Sequence, residues 1–189
     1  LITVLSVMNG FDYQIRHKFF AVAPQVTVVA PFNQMSKWPA LLEKTKQVKA
    51  VVAGAPFSSG QGMLILGRQI QGVQVLGILP GEEKKISKIG DFVKQGRYDS
   101  LTAGGFHVII GQQLARRFGL QLGDKLNLFT PQTTVTLAGV FPQYRQFTVT
   151  GIFSADGGFQ LDSSVIYIHF EDGLKLFGPT QSVSGLHLS

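Results

Sequence analysis

The sequence predicts an α+β protein in which two β-α-β units flank a strand-rich middle, and three observations carry that prediction. Near each end, a strand-like apolar run is followed by a helix-period run and then by a second strand-like run. The stretch between them is rich in Val, Ile, Leu and Gly and is punctuated by turn residues. Only 15% of the 189 residues are charged, while Gly (22) and Phe (15) are generous. An average soluble domain carries roughly 25% charge, so this is the profile of a turn-rich, strand-rich chain. With 44% apolar residues, the chain is long enough to bury a real core.

In chain order, Leu1–Met8 is an apolar run without a start Met, a charged flank or a cleavage site, unlike a signal peptide. It is also shorter than the about 20 residues that span a bilayer. It reads as the last turns of a membrane helix, or alternatively as a buried N-terminal element. Phe11, Ile15, Phe19 and Val22 recur at near-helical spacing between Asp12, Gln14, Arg16 and Lys18, which predicts an amphipathic helix ended by Pro24. A strand over Gln25–Ala30, a helix opened by Ser36 and carrying Leu41, Leu42, Thr45 and Val48, and a strand over Ala50–Pro56 form the first β-α-β unit.

From Gly62 to Pro80, Gly67-Arg68 and Gln71-Gly72 punctuate short antiparallel strands. A charged stretch (Glu82–Lys88) and a glycine-containing loop lead to a strand at His107–Ile110. The helix Gln112–Phe118 follows, closed by Gly119. Gly123-Asp124 turns into the strand Lys125–Thr130. Ser164–His169, Glu171–Phe177 and Ser182–Leu188 form the second β-α-β unit. The implied organisation is a membrane-helix end at residues 1–10, a mixed α/β lobe from residues 11–63 and 160–189, and an inserted strand-rich lobe at residues 64–159.

Composition removes several function classes. The net charge of +6 comes from scattered residues, with no basic block longer than Lys84-Lys85 or Arg116-Arg117, which argues against nucleic acid and suits a domain near anionic lipid. There is no Cys. His17, His107, His169 and His187 lie far apart without metal-ligand spacing, and no phosphate-binding Gly-Lys-Ser/Thr loop occurs. Asp156, Asp162, Glu171 and Asp172 sit near turns or a helix start, where carboxylates are expected anyway. Ser58-Ser59-Gly60 and Ser163-Ser164 lack a nucleophile-elbow context. A non-catalytic domain without a cofactor is the expectation.

The segment with the sharpest signal lies between Lys125 and Arg145, which holds no charged residue. Pro131 and Pro142 bracket a stretch containing Val135, Leu137, Ala138, Val140 and Phe141. Proline is expelled from central strands, so regular pairing is expected to stop at both and the piece between to project as a loop 131–142. Exposed apolar groups of that kind mark a partner or membrane contact. The alternative is a loop that folds back and buries them. Asn127, Gln143, Tyr144 and Arg145 stand at its base as a candidate polar platform.

These residues resemble a known family. Leu5-Ser6-Val7-Met8-Asn9-Gly10-Phe11 looks like the motif ending the first transmembrane helix of the LolC and LolE permease subunits of lipoprotein-releasing ABC transporters. Val108-Ile109-Ile110-Gly111-Gln112-Gln113-Leu114-Ala115, with Phe118-Gly119 and Gly123-Asp124, is similar to the signature of the wider MacB-like periplasmic domain. The resemblance implies a mixed α/β lobe (Porter) with an inserted strand-rich lobe (Sabre), on the periplasmic side of the inner membrane. It also implies that the proline-bracketed loop is a hook capturing a LolA-like lipoprotein carrier, with Arg145 as a basic residue at its base. Lipoprotein substrate, a LolD-like ATPase and a second permease subunit would be the other partners. Where the carrier-binding subunit has a second basic residue before the loop, this chain has Asn127, while Ser182-Val183-Ser184-Gly185 and the Trp38 helix look more like LolE. The other reading within the resemblance is an efflux-type, MacB-like domain docking a periplasmic adaptor.

Overall fold

The computed structural model describes residues 26–29, 38–46, 53–136, 139–155, 161–181 and 183–188. The expected membrane-helix end and the amphipathic helix over residues 11–22 lie outside the described residues. No helix among the described residues is long and apolar enough to cross a membrane.

The described residues form nine strands: β1 (Val26–Val29), β2 (Gly54–Leu66), β3 (Gln69–Ile78), β4 (Val93–Gly96), β5 (His107–Gly111), β6 (Lys125–Thr136), β7 (Gly139–Phe153), β8 (Val165–His169) and β9 (Val183–Leu188). The helices are α1 (Trp38–Lys46), α2 (Pro80–Glu83), α3 (Gln112–Phe118), α4 (Leu161–Ser164) and α5 (Phe170–Gln181), the last interrupted at Gly178.

Six strands close into a ring in the order β2-β3-β8-β5-β7-β6 and back to β2. Leu64, Val75, Ile110, Leu128, Phe147 and Ile168, one from each strand, share the interior cluster. Alternating side chains turn inward along each strand, and a ring this small is filled by them. Leu114 and Phe118 of α3 and Phe177 of α5 join the same cluster. Outside the ring, Ile78, Ile109, Phe153 and Tyr167 pack with Ile89, Tyr98 and Leu101 from the connections after α2.

Both β-α-β units have other strands inserted between their two strands. β1 and β2 are each antiparallel to β9, which lies between them, so they run parallel to one another. Leu42 of α1 packs on Leu186 and Leu188 of β9. β8 runs parallel to β3, which is antiparallel to β2, as β9 is; β8 and β9 are therefore parallel with the β2–β3 hairpin between them. Helix α5 crosses that hairpin, where Ser58 Oγ donates to the Phe170 carbonyl at 3.3 Å.

Strand β2 runs unbroken across the expected lobe boundary at 63/64, pairing with β9 in its first half and with β6 at Met63–Ile65. The expected break at Gln71-Gly72 lies inside β3; only Gly67-Arg68 turns, with Gly67 at φ +59° supplying the left-handed residue of a two-residue hairpin connection. Gly119 ends α3 in the left-handed region at φ +65°.

One buried polar cluster lies outside the ring. His187 stacks on Phe57 with centroids 4.0 Å apart, and its Nδ1 is 3.6 Å from Glu83 Oε1 of α2. The Tyr98 hydroxyl is buried without a hydrogen-bond partner among the described residues. Burial, and then the charge of Glu83, push both Tyr98 and Tyr167 well above the ordinary phenol range. Because the folded state holds these protons more tightly than the unfolded chain, their contribution to stability is complete below pH about 10 and is lost as the pH climbs beyond it. Tyr98→Phe removes the unpartnered hydroxyl, and we expect it to raise stability at neutral pH by about 1 kcal/mol and to weaken the alkaline loss. Thermal denaturation of both proteins between neutral pH and pH about 11 checks this.

Candidate functional site

Strands β6 and β7 outrun the ring. From Lys125↔Thr148 to Phe129↔Tyr144 they pair as part of its wall; then the register shifts, and pairing resumes at Thr133↔Pro142 and continues to Thr136↔Gly139. The expectation that regular pairing stops at the prolines is corrected. Thr130–Gln132 stand opposite Gln143 alone, which makes an irregularity of the bulge type that takes up Pro131. Beyond Phe129 and Tyr144, no third strand joins the pair among the described residues. Pro142 therefore lies on an edge, where a missing N–H is tolerated. The segment is a two-stranded ribbon rooted in the ring wall rather than an irregular loop.

Val135 stands opposite Val140 and Thr134 opposite Phe141 on this ribbon. Leu137 and Ala138 lie outside the described residues, as do the side chains of Pro131, Val135, Val140, Phe141, Pro142 and Gln143.

Strand alternation splits the expected platform between two faces. Asn127 and Phe129 share the outer face of the wall with their partners Gln146 and Tyr144, whereas Arg145 pairs with Leu128, whose side chain turns inward. On the outer face, Tyr144 is 60% exposed and stacks on Phe129 with centroids 5.2 Å apart, and Gln146 Nε2 donates to Asn127 Oδ1 at 3.5 Å. On the other side, the Arg145 guanidinium sits 5.1 Å from the centroid of Phe106, a cation over an aromatic face. Phe106 in turn packs edge-on against Phe147. Its backbone is left-handed, at φ +48°.

Asp172 holds that strained residue in place. The carboxylate is fully buried, Oδ1 accepting from the Gly104 N–H at 2.8 Å and Oδ2 from the Phe106 N–H at 3.3 Å. Asp162 accepts from the Ala155 N–H at 2.9 Å and from Ser154 Oγ at 3.3 Å. Both are loop-fastening groups. His107 Nδ1 lies 2.6 Å from the Ser100 carbonyl, and burial pushes His169 below its ordinary value. Asp156 and His17 lie outside the described residues.

The outer face of the wall also holds residues that the sequence did not single out. Met63 (45% exposed) is opposite Phe129, and Ile70 (61% exposed) is opposite Ile65 on the same face. Beside them lies a cleft of about 500 Å³ lined by Gln61, Met63, Gly72, Gln74, Phe129 and Ser164, with Gly62 and Val73 in its floor. The alternation Gln61, Met63, Ile65 is visible in the sequence as an outward row; its meeting with Phe129 depends on a strand pairing far apart in the chain.

Comparison with known proteins gives these features a context. A sequence model of the MacB-like periplasmic core domain matches residues 1–187. The chain is 39% identical to the lipoprotein-releasing system transmembrane protein LolC of Neisseria meningitidis over 188 residues, covering 100% of this chain and 45% of that protein. It is 28% identical to the corresponding protein LolE of Haemophilus influenzae, over 87% of this chain and 40% of that protein. The chain therefore spans less than half the length of these relatives. Among solved structures, the extracellular domain of the noncanonic ABC-type transporter YknZ from Gram-positive bacteria superposes with a TM-score of 0.53 at 15% identity, covering 90% of this chain and 80% of that one.

Proposed function

The chain belongs to the MacB-like periplasmic core domain family and is of the LolC/LolE type, and from this premise we propose that it is the extracytoplasmic domain of an inner-membrane ABC-transporter permease subunit. In this reading the subunit releases lipoproteins and passes them to a periplasmic carrier through the ribbon spanning Pro131–Pro142. The observation that supports it most is the ribbon itself: a paired, two-stranded extension beyond the ring wall, bearing an apolar sequence in a chain similar to LolC. Edge-only strands with apolar side chains are docking elements or liabilities, and pairing with a partner satisfies them. The Porter-like lobe would be residues 11–63 and 160–189, and the Sabre-like lobe residues 64–159 with the ribbon.

In this reading the domain catalyses nothing. A separate LolD-like subunit would hydrolyse ATP and move the membrane helices, with a second permease subunit opposite, while this domain supplies binding geometry. Arg145, anchored over Phe106, would steer an acidic patch of the carrier towards the ribbon.

The test is binding of the purified domain to the lipoprotein carrier of the same organism. Phe141→Asp or Val140→Asp should weaken it by at least about tenfold. Arg145→Glu should weaken it by a similar factor at low salt and by less at high salt, as a screened charge does. Wild-type affinity in all three variants, or no binding by wild type, would sink the carrier reading in favour of a substrate-side or adaptor-docking role.

A further inference from the structure

The cleft on the outer wall, beside the root of the ribbon, has a composition of its own. None of the described residues lining it is charged, in a chain whose net charge is +6. Its floor is the β2–β3 pair, aligned rung by rung as Gln61↔Gln74, Gly62↔Val73 and Met63↔Gly72. Main-chain donors and acceptors of paired strands lie in the plane of the sheet, so they do not point up into the cleft. The paired face of these two strands therefore offers a bound peptide no ladder of main-chain hydrogen bonds.

Gly72 creates the hollow. It faces outward opposite Met63, and a Cβ built on it meets nothing within 4 Å among the described residues. Gly62, by contrast, faces inward, where a Cβ would meet Leu128 at 2.7 Å. The trough above Gly72 has Met63 and Phe129 as apolar walls and Gln61, Gln74 and Ser164 as uncharged polar groups. One N–H of the Gln74 amide is committed, donating to Ser59 Oγ at 2.5 Å. The volume of about 500 Å³ falls within the ~300–1,000 Å³ of small-ligand sites. An uncharged trough with a flexible Met wall and few available hydrogen-bonding groups selects a hydrocarbon chain over a peptide, a nucleotide or a charged headgroup.

We infer that this trough is a transient seat for an acyl chain of the lipoprotein in transit, placed on the outer wall at the root of the ribbon. This rests on the lipoprotein-release reading above, and it assigns that reading a ligand-binding surface separate from the protein-docking ribbon. Exposure of the acyl chain to water between membrane and carrier is unfavourable in proportion to the apolar area wetted. A seat beside the carrier dock shortens that exposure.

The experiment titrates the 189-residue domain with cis-parinaric acid, whose fluorescence rises when its chain is sheltered. Wild type should give a saturable rise. Gly72→Leu fills the hollow from its floor without backbone strain and should weaken the probe by about tenfold or more. Gln61→Glu, an exposed rim position, places a charge at the mouth and should weaken it as well, which keeps the test available if the first variant folds poorly. A synthetic triacylated lipopeptide should displace the probe at lower concentration than phosphatidylethanolamine; equal displacement would overturn the assignment to lipoprotein. Absence of a saturable rise, or unchanged binding in both variants, would overturn the site. Gly72→Leu should retain carrier binding, and loss of carrier binding in that variant would make the trough part of the protein interface instead. Failure of the carrier reading shows separately, as ribbon variants that bind the carrier normally.

Discussion

Phe177→Ala is expected to lower the free energy of unfolding by about 3–5 kcal/mol, the cost of deleting a large buried ring and leaving a cavity. The ring is buried in the interior cluster with Leu64, Val75, Leu128 and Phe147. It is also where α5 meets the ring of strands: a Cβ placed on Gly60 of β2 would lie 2.6 Å from its aromatic carbons. Gly60 is thus small because Phe177 occupies that space, and Gly60→Ala should destabilise by forcing the same ring aside. Denaturant titration followed by circular dichroism reads both effects, with Val29→Ala as the surface control, since Val29 is 66% exposed. A loss below about 1 kcal/mol for Phe177→Ala would mean that α5 does not clasp the β2–β3 hairpin as described.

Local signals are legible in the sequence, and long-range pairings are not. Gln112–Phe118 with Gly119 behind it declares a short helix and its left-handed stop, because periodicity and a glycine terminator act within a few residues. The two β-α-β units are readable for the same reason. That other strands lie between their partners is not, since β9 comes late in the chain and pairs with both β1 and β2. Closure of the ring by Met63–Ile65 against Asn127–Phe129 joins segments more than sixty residues apart, and no local pattern encodes it.

At the candidate site, the prolines mislead in a specific way. Proline chemistry alone predicts an end of pairing, whereas a bulge absorbs Pro131 and an unpaired edge accepts Pro142. The split of the platform is implicit in the strand period of two, which puts Tyr144 and Arg145 on opposite faces of β7; treating the base as one polar set ignores that period. The trough needs the cross-strand register, because Gly72 is a hollow only by virtue of standing opposite Met63 and one strand from Phe129.

The second large effect lies at Asp172 and is expected to reach the proposed docking site through the backbone. Asp172→Ala is expected to destabilise the domain by about 2–4 kcal/mol, because it strands the Gly104 and Phe106 amides that share one buried carboxylate. Asp172→Asn keeps the shape but turns one acceptor into a donor facing an N–H, so it should recover less than half of that loss. Phe106 sits at φ +48°, a conformation that a residue with a side chain keeps only when its surroundings hold it there. Released from Asp172, its ring would leave the position 5.1 Å beneath the Arg145 guanidinium. Both variants should therefore weaken carrier binding by several-fold at temperatures where they are fully folded, with an unchanged ribbon sequence. The change should be absent when the same substitution is made in an Arg145→Ala background, since the ring then has no cation to hold. Additive losses in that double variant would show that Asp172 affects binding by a route other than the Phe106–Arg145 contact, and no loss in the single variants would show that it acts on stability alone.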